Sequence, residues 1–135
     1  MKAYIAGKVR NELEREDLEE VAKLCENLGF ETFLPHRDVG LAGGMEDVDR
    51  IFEGDIQEGF KNVDIVVALL DGLHIGAGTA WELGYAYARK IPSIGLKRDE
   101  SVDEALEYLS AILVGSIKIV GSLGELEVEL KKFRA

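Results

Sequence analysis

Hydrophobic and polar positions alternate along this chain in two distinct periods. Apolar runs of four to seven residues recur at Lys2–Ala6, Phe30–Leu34, Asp64–Leu70, Ile91–Leu96 and Ile117–Val120. Each is short and flanked by glycine, proline or charge, as a strand in a buried sheet is. Between them the apolar residues fall three and four apart. Leu18, Val21, Ala22, Cys25 and Leu28 mark one helix face, ended by Gly29. Val48, Ile51, Phe52, Ile56 and Phe60 mark the inward face of a second helix, from about Glu46 to Lys61. Trp81, Gly84, Tyr85 and Ala88 mark a third, running to about Lys90. Leu106 and Leu109 belong to a fourth, and Leu126, Leu130 and Phe133 to a fifth. Asn11 with Glu14, Ser101 with Glu104 and Ser122 with Glu125 have capping-box spacing at three helix starts.

Five alternations of strand and helix predict an α/β fold: a doubly wound, five-stranded parallel sheet with helices on both faces. The expected order is the flavodoxin-like 2-1-3-4-5. It puts a crevice at the carboxyl ends of strands one and three, where the strand order reverses. The loops after strands one, two and three open there. They are expected to bring Gly7, Arg37, Asp71 and Glu82 to one mouth.

The length of 135 residues is that of one ordinary domain, and 47% hydrophobic content supplies a core. The formal net charge of −10 argues against a nucleic-acid polymer or an anionic membrane as partner. It leaves room for a small nucleotide, which needs only a local anion site. A single cysteine, Cys25, allows no internal disulfide and suits a reducing cytoplasm. One Cys and two separated His residues offer no zinc spacing, so no metal is expected. The first residues pass directly into a strand, with no leader or membrane span expected.

The chemistry concentrates after strand three. An acid, Asp71, closes the strand, a glycine-rich loop carrying Gly76 and Gly78 follows, and Glu82 is expected in the first turn of the next helix. A helix N-terminus favours an ionised carboxylate, and an ionised, fixed carboxylate suits attack on a sugar carbon. Thr79-Ala80-Trp81-Glu82 is equally a capping box, in which the glutamate only satisfies a backbone N–H. Asp55, on or beside the inward face of its helix, needs a partner or a task. It is the candidate second carboxyl group flanking a glycosidic bond, or else a residue paired with Arg37 or a backbone amide. Asp71 caps the next loop or touches substrate. Gly76 and Gly78 let backbone amides approach a ligand oxygen. Lys8 and Arg10 are placed to hold a phosphate or to face solvent. His36 and His74 are read as solvated loop residues, and Tyr4 as core or catalytic.

Tyr4-Ile5-Ala6-Gly7, Phe33-Leu34-Pro35-His36-Arg37-Asp38, Ile51-Phe52-Glu53-Gly54-Asp55 and Gly78-Thr79-Ala80-Trp81-Glu82-Leu83-Gly84-Tyr85-Ala86 resemble the nucleoside 2-deoxyribosyltransferase family in order and spacing, from residue 4 to about residue 98. The resemblance implies one such domain over residues 1–135. It also implies cleavage of the N-glycosidic bond of a 2′-deoxyribonucleoside, without a cofactor. The residue matching Glu82 attacks C1′ and forms a covalent deoxyribosyl ester, which an acceptor base or water resolves. The match to Tyr4 orients the nucleophile, and the match to Asp55 lies near base and sugar. Gly76 stands where many transferases carry a sugar-contacting aspartate. Leu109-Ser110-Ala111-Ile112 resembles the segment that, in the related 2′-deoxynucleoside 5′-phosphate N-hydrolases, brings a serine near phosphate in the neighbouring subunit's site. The resemblance therefore implies a homodimer or larger homo-oligomer. It leaves three functions open: transferase, monophosphate hydrolase and non-catalytic nucleotide sensor.

Overall fold

A computed structural model describes residues 1–135. Five strands, β1 (Lys2–Ala6), β2 (Glu31–Phe33), β3 (Ile65–Leu69), β4 (Ser93–Leu96) and β5 (Lys118–Val120), form one parallel sheet in the order 2-1-3-4-5. The helices are α1 (Glu12–Asn27), α2 (Pro35–Asp38), α3 (Val48–Phe52), α4 (Ala77–Ala88), α5 (Val102–Leu109), α6 (Ala111–Ser116) and α7 (Leu123–Arg134).

The period of two along the central strands divides the core into two layers. Ala3, Ile5, Ile65, Val67 and Leu69 face α1 and α7, where Leu18, Val21, Cys25, Leu126 and Leu130 are buried. Tyr4, Ala6, Val66, Ala68 and Leu70 face the other way, onto Ile56, Phe60, Leu83, Ala86, Ala105 and Leu109. β3 is buried along its whole length because helices cover both of its faces. Tyr4 pairs in register with Val66, so its ring enters the layer that carries α4. That alternation aims the Tyr4 hydroxyl at the site.

The three caps form as spaced. The side chains of Asn11, Ser101 and Ser122 accept from the amides of Glu14, Glu104 and Glu125 at 2.9, 3.2 and 3.1 Å. Gly29, at φ 92°, ends α1 in the conformation that favours glycine.

The long second helix differs from its sequence pattern. It begins as a 3₁₀ turn over Met45–Asp47, continues as α3, and widens into a π-helical segment over Glu53–Glu58. Only Ile56 and Phe60 of its expected inward face are buried, while Val48 and Phe52 are exposed. The π turn resets the helical phase, so the residues before it face a cleft rather than the core. α2 forms where a loop is expected, with Pro35 pre-set for its first turn. α6 lies outside the sequence reading. It joins α5 through Ser110, a non-glycine residue at φ 73°. In α5 it is Ala105, not Leu106, that accompanies Leu109 inward.

Candidate active site

α4 opens at Ala77 behind Gly76, which has φ 88° and provides no side-chain cap. Glu82 is therefore in the second turn, not the first, and Thr79 is inside the helix rather than at its cap. No capping box forms. The Glu82 carboxylate instead accepts a hydrogen bond from the Tyr4 hydroxyl across the layer. The Tyr4 ring is fully buried, stacked on Phe60 at 4.2 Å and on Phe33 at 5.3 Å between centroids. Burial and the neighbouring carboxylate push its hydroxyl well above the usual phenol range, so it remains a donor.

Burial also raises Glu82, which is 8% exposed, to about 7. The Tyr4 hydrogen bond opposes that shift and the charge of Asp55 adds to it. Glu82 is a turn further in than the position at which a helix N-terminus best favours a charged carboxylate, and burial draws it toward its protonated form. Asp55, carried by the π-helical segment, is raised to about 6, chiefly by burial, with Arg50 acting in the opposite direction. Its Oδ1 is buried without a hydrogen-bond partner. It is not paired with Arg37.

Two hollows meet at these acids, and Asp55, Ala77, Gly78 and Glu82 line both. The first, about 480 Å³, is walled by Ala42, Val48, Ile51, Phe52, Ile56 and Trp81. Phe52 meets Trp81 edge-on at 6.1 Å, and Trp81 stacks on Tyr85 at 5.3 Å. The second, about 350 Å³, is polar and takes in Gly7, Lys8, Arg10, Pro35, His74, Gly76 and Thr79. Its floor is the uncapped start of α4, where backbone N–H groups have no intrahelical partner. One cleft thus has an apolar lobe shaped for a flat ring, a polar lobe suited to hydroxyls or an anion, and two carboxyl groups between them.

Gly7, Gly76 and Gly78 line the polar lobe. A Cβ at Gly7 would come within 2.6 Å of Leu18, so glycine there lets α1 close on the strand end. At Gly76 the positive φ already favours glycine, and a Cβ would stand 3.2 Å from Cγ of Lys8. The Lys8 stem fills the space a side chain at 76 would need. Gly78 meets nothing within 4 Å and leaves the backbone open to the cleft.

Three candidates lie elsewhere. Arg37 donates to Asp38, Glu26 and the Thr32 carbonyl at 2.9, 3.1 and 2.9 Å, which ties it to the β2 edge. Asp71 receives the Arg98 amide at 2.7 Å and its Nε at 2.8 Å, so both carboxylate oxygens are engaged outside the cleft. Ser110 caps α6, accepting from Ile112 at 3.2 Å, and lines a separate groove of about 580 Å³ between α4 and α6. His36 is not solvated: its ring is buried, with Glu19 at 3.8 Å and no hydrogen bond to either nitrogen. His74 is exposed at the rim of the polar lobe. The sequence reading missed Val48, Phe52 and Trp81 as cleft walls, because helical spacing alone does not distinguish a core face from a ligand face. No cluster of three or more His, Cys, Asp or Glu residues is placed to hold a metal ion. No helix is long and apolar enough to cross a membrane.

A profile of the family described as nucleoside 2-deoxyribosyltransferase matches residues 3–129. The chain belongs to that family. Among solved structures it is similar to a conserved protein of Enterococcus faecalis V583, with 26% identity, 98% of each chain covered and a TM-score of 0.74. It is also similar to the 2-deoxyribosyltransferase of Bacillus psychrosaccharolyticus, with 22% identity, 96% of each chain covered and a TM-score of 0.77. The CMP N-glycosidase of Clostridium botulinum shares the fold over 100% of both chains at 19% identity and a TM-score of 0.58. A comparison with curated proteins finds no match. Family membership supports an enzyme of the N-glycosyl transferase or hydrolase class.

Proposed function

We propose that this deoxyribosyltransferase-family chain cleaves the N-glycosidic bond of a 2′-deoxyribonucleoside and passes the deoxyribosyl group to an acceptor base. The observation that carries the reading is the position of Glu82. It is held by Tyr4 and faces Asp55, where an apolar and a polar lobe join. The base ring occupies the lobe of Phe52 and Trp81, and the sugar extends over Gly76 and Gly78.

Ionised Glu82 attacks C1′ as the C1′–N bond breaks, and protonated Asp55 gives its proton to the departing base. The result is a deoxyribosyl ester on Glu82, a free base and an ionised Asp55. An acceptor base then attacks C1′, Asp55 takes the acceptor's N–H proton, and the ester bond returns its electrons to Glu82. Two displacements at one carbon retain its configuration. Tyr4 is the orienting residue, because its donated hydrogen bond fixes the carboxylate and favours its charged form.

A second reading, hydrolysis of 2′-deoxynucleoside 5′-monophosphates with water as acceptor, is favoured by the polar lobe. Lys8 and the amides that open α4 face this lobe and suit a phosphate, while Arg10 is engaged by Glu14 at 2.8 Å, with Lys8 at 3.8 Å from the same carboxylate. Assembly as a homodimer or larger homo-oligomer is part of the same proposal. Its support is the groove beside Ser110, where Tyr87 is 65% and Ile112 85% exposed.

Incubation with deoxynucleosides and their monophosphates, followed by chromatography for free base, tests these readings. Release that requires an acceptor base supports transfer. Release from monophosphates in water supports the hydrolase. Binding without release would mean a nucleotide-sensing module and would overturn both.

A further inference from the structure

His74 and Gly76 line the polar lobe, and the loop that carries them is fastened from behind by charges that never reach the cleft. Lys97, the residue after β4, is 3% exposed, an unusual place for a lysine. Its Nζ donates to the Gly72 carbonyl at 2.8 Å and pairs with Asp99 Oδ1 at 2.9 Å. Asp99 Oδ2 in turn accepts from the Gly72 amide at 2.8 Å. Both peptide groups of Gly72 are thereby held by one ion pair whose lysine end is buried and whose aspartate end is half-exposed. Gly72 has φ 96°, and a Cβ there would stand 2.7 Å from Nζ of Lys8. The Lys8 head therefore rests directly against the clamped residue, while its stem packs on Gly76. Between these points Leu73 and His74 are exposed.

We infer that Lys97, through its pair with Asp99, is a positioning residue. It fixes Gly72 and so sets where Lys8, His74 and Gly76 stand in the polar lobe. As a stabiliser the pair is poor, since the desolvation of the buried Lys97 ammonium offsets much of its attraction. It does supply directional anchoring that an apolar residue of the same volume lacks. The clamp touches neither Glu82, Tyr4 nor Asp55, so it acts on the sugar-and-anion end of the site and not on the reacting groups. This inference rests on the proposed function for its kinetic part only.

The test uses the full chain with Lys97→Met, which keeps the stem and leaves the half-exposed Asp99 solvated, and Lys97→Arg as the conservative control. Hydrogen exchange read by mass spectrometry should show at least tenfold faster exchange in the peptide spanning 72–76 in Lys97→Met, with α4 and β3 unchanged. For base release, KM should rise about tenfold while kcat moves less than threefold, and Lys97→Arg should recover part of both effects. In a Glu82→Gln background, which cannot turn over, the Kd for deoxyadenosine 5′-monophosphate should rise by the same factor as KM. Unchanged exchange at 72–76 overturns the inference. So does faster exchange with KM and Kd unaltered, or a loss confined to kcat. A wild-type chain that binds deoxynucleosides or their monophosphates but releases no base, with or without an acceptor base, sinks the proposed function and leaves the clamp to be decided by exchange and Kd.

Discussion

Replacing Glu82 with glutamine should destroy activity and stabilise the protein, with a stabilisation that depends on pH in a defined direction. Burial raises the Glu82 carboxyl from its ordinary 4.5 to about 7. The folded state therefore holds this proton more tightly than the unfolded chain. Below the unfolded value both states are protonated and no penalty exists. As pH rises from 4.5 to about 7 the unfolded chain releases this proton while the folded state, with the carboxyl group 8% exposed, still holds it; stability falls across that window and is level above it. The rise from 4.5 to about 7 corresponds to about 3 kcal/mol at pH 8. Glutamine has nearly the same shape, still accepts from Tyr4, and carries no charge to desolvate. Glu82→Gln should thus melt roughly 10 °C above wild type at pH 8 for a chain of this size, with the gap closing as pH falls toward 4.5. Differential scanning calorimetry across pH 4–8, beside a base-release assay, measures both halves. Equal or lower melting temperature at pH 8, or a gap that does not vary with pH, would refute the account of a desolvated nucleophile. Retained turnover would refute its role as nucleophile.

The same pair of acids predicts the pH–rate profile. The competent form, ionised Glu82 with protonated Asp55, is the less populated of the two one-proton forms, because Glu82 holds its proton more tightly than Asp55. Its population still rises and falls with the pair, so kcat/KM should be bell-shaped with limbs near 6 and 7; a profile flat from pH 5 to 8 argues against two coupled carboxyl groups. Asp55→Asn should slow release of an ordinary base by about 10²–10⁴-fold. It should have much less effect on N7-methylated deoxyguanosine, whose base leaves without needing a proton, and equal losses on both substrates would remove Asp55 as the acid. Gly76→Ala should cost about 1–2 kcal/mol, from the positive φ and from the Lys8 stem behind it, read as a lower melting temperature; a neutral result would mean that loop and lysine shift freely.

The architecture was legible because the two periods in the sequence have separate physical causes. Strands covered on both faces read as unbroken apolar runs, and helices covered on one face read as stripes. Five alternations of the two leave few ways to wind a sheet. The strand order 2-1-3-4-5 accordingly matches what the pattern implies. Helix ends were legible where a side chain satisfies a free amide, as at Asn11, Ser101 and Ser122. The failures are equally physical. A capping box is a three-residue spacing, and the spacing at Thr79 and Glu82 occurs one turn too late to cap anything. The pattern cannot reveal that a helix has already begun behind a glycine at φ 88°. Arg37 and Asp71 stand at strand ends that face the crevice in sequence terms, yet each finds a closer opposite charge. Topology brings a residue to an edge, and local charge decides which way it turns.

The π-helical segment explains why the apolar half of the cleft escaped notice while its acid did not. A regular helix from residue 46 to residue 61 would have put Val48, Ile51 and Phe52 on the same face as Ile56 and Phe60, and all five would be core. The wider turn over Glu53–Glu58 breaks that phase. Ile56 and Phe60 remain under the sheet layer, whereas Val48 and Phe52 turn to meet Trp81 across an open lobe. Asp55 lies within the widened turn, half-buried and short of a partner for Oδ1. Gly59 makes the turn possible, because a Cβ there would collide with the Asp55 carbonyl and the Phe33 ring. One local irregularity therefore does two things: it exposes an aromatic wall and places an acid at the wall's foot, opposite Glu82. A sequence can signal that Asp55 needs a task, since charge on an inward face is costly. It cannot signal the change of phase, because a π turn leaves the residue spacing untouched and shifts only the angle at which the following side chains emerge.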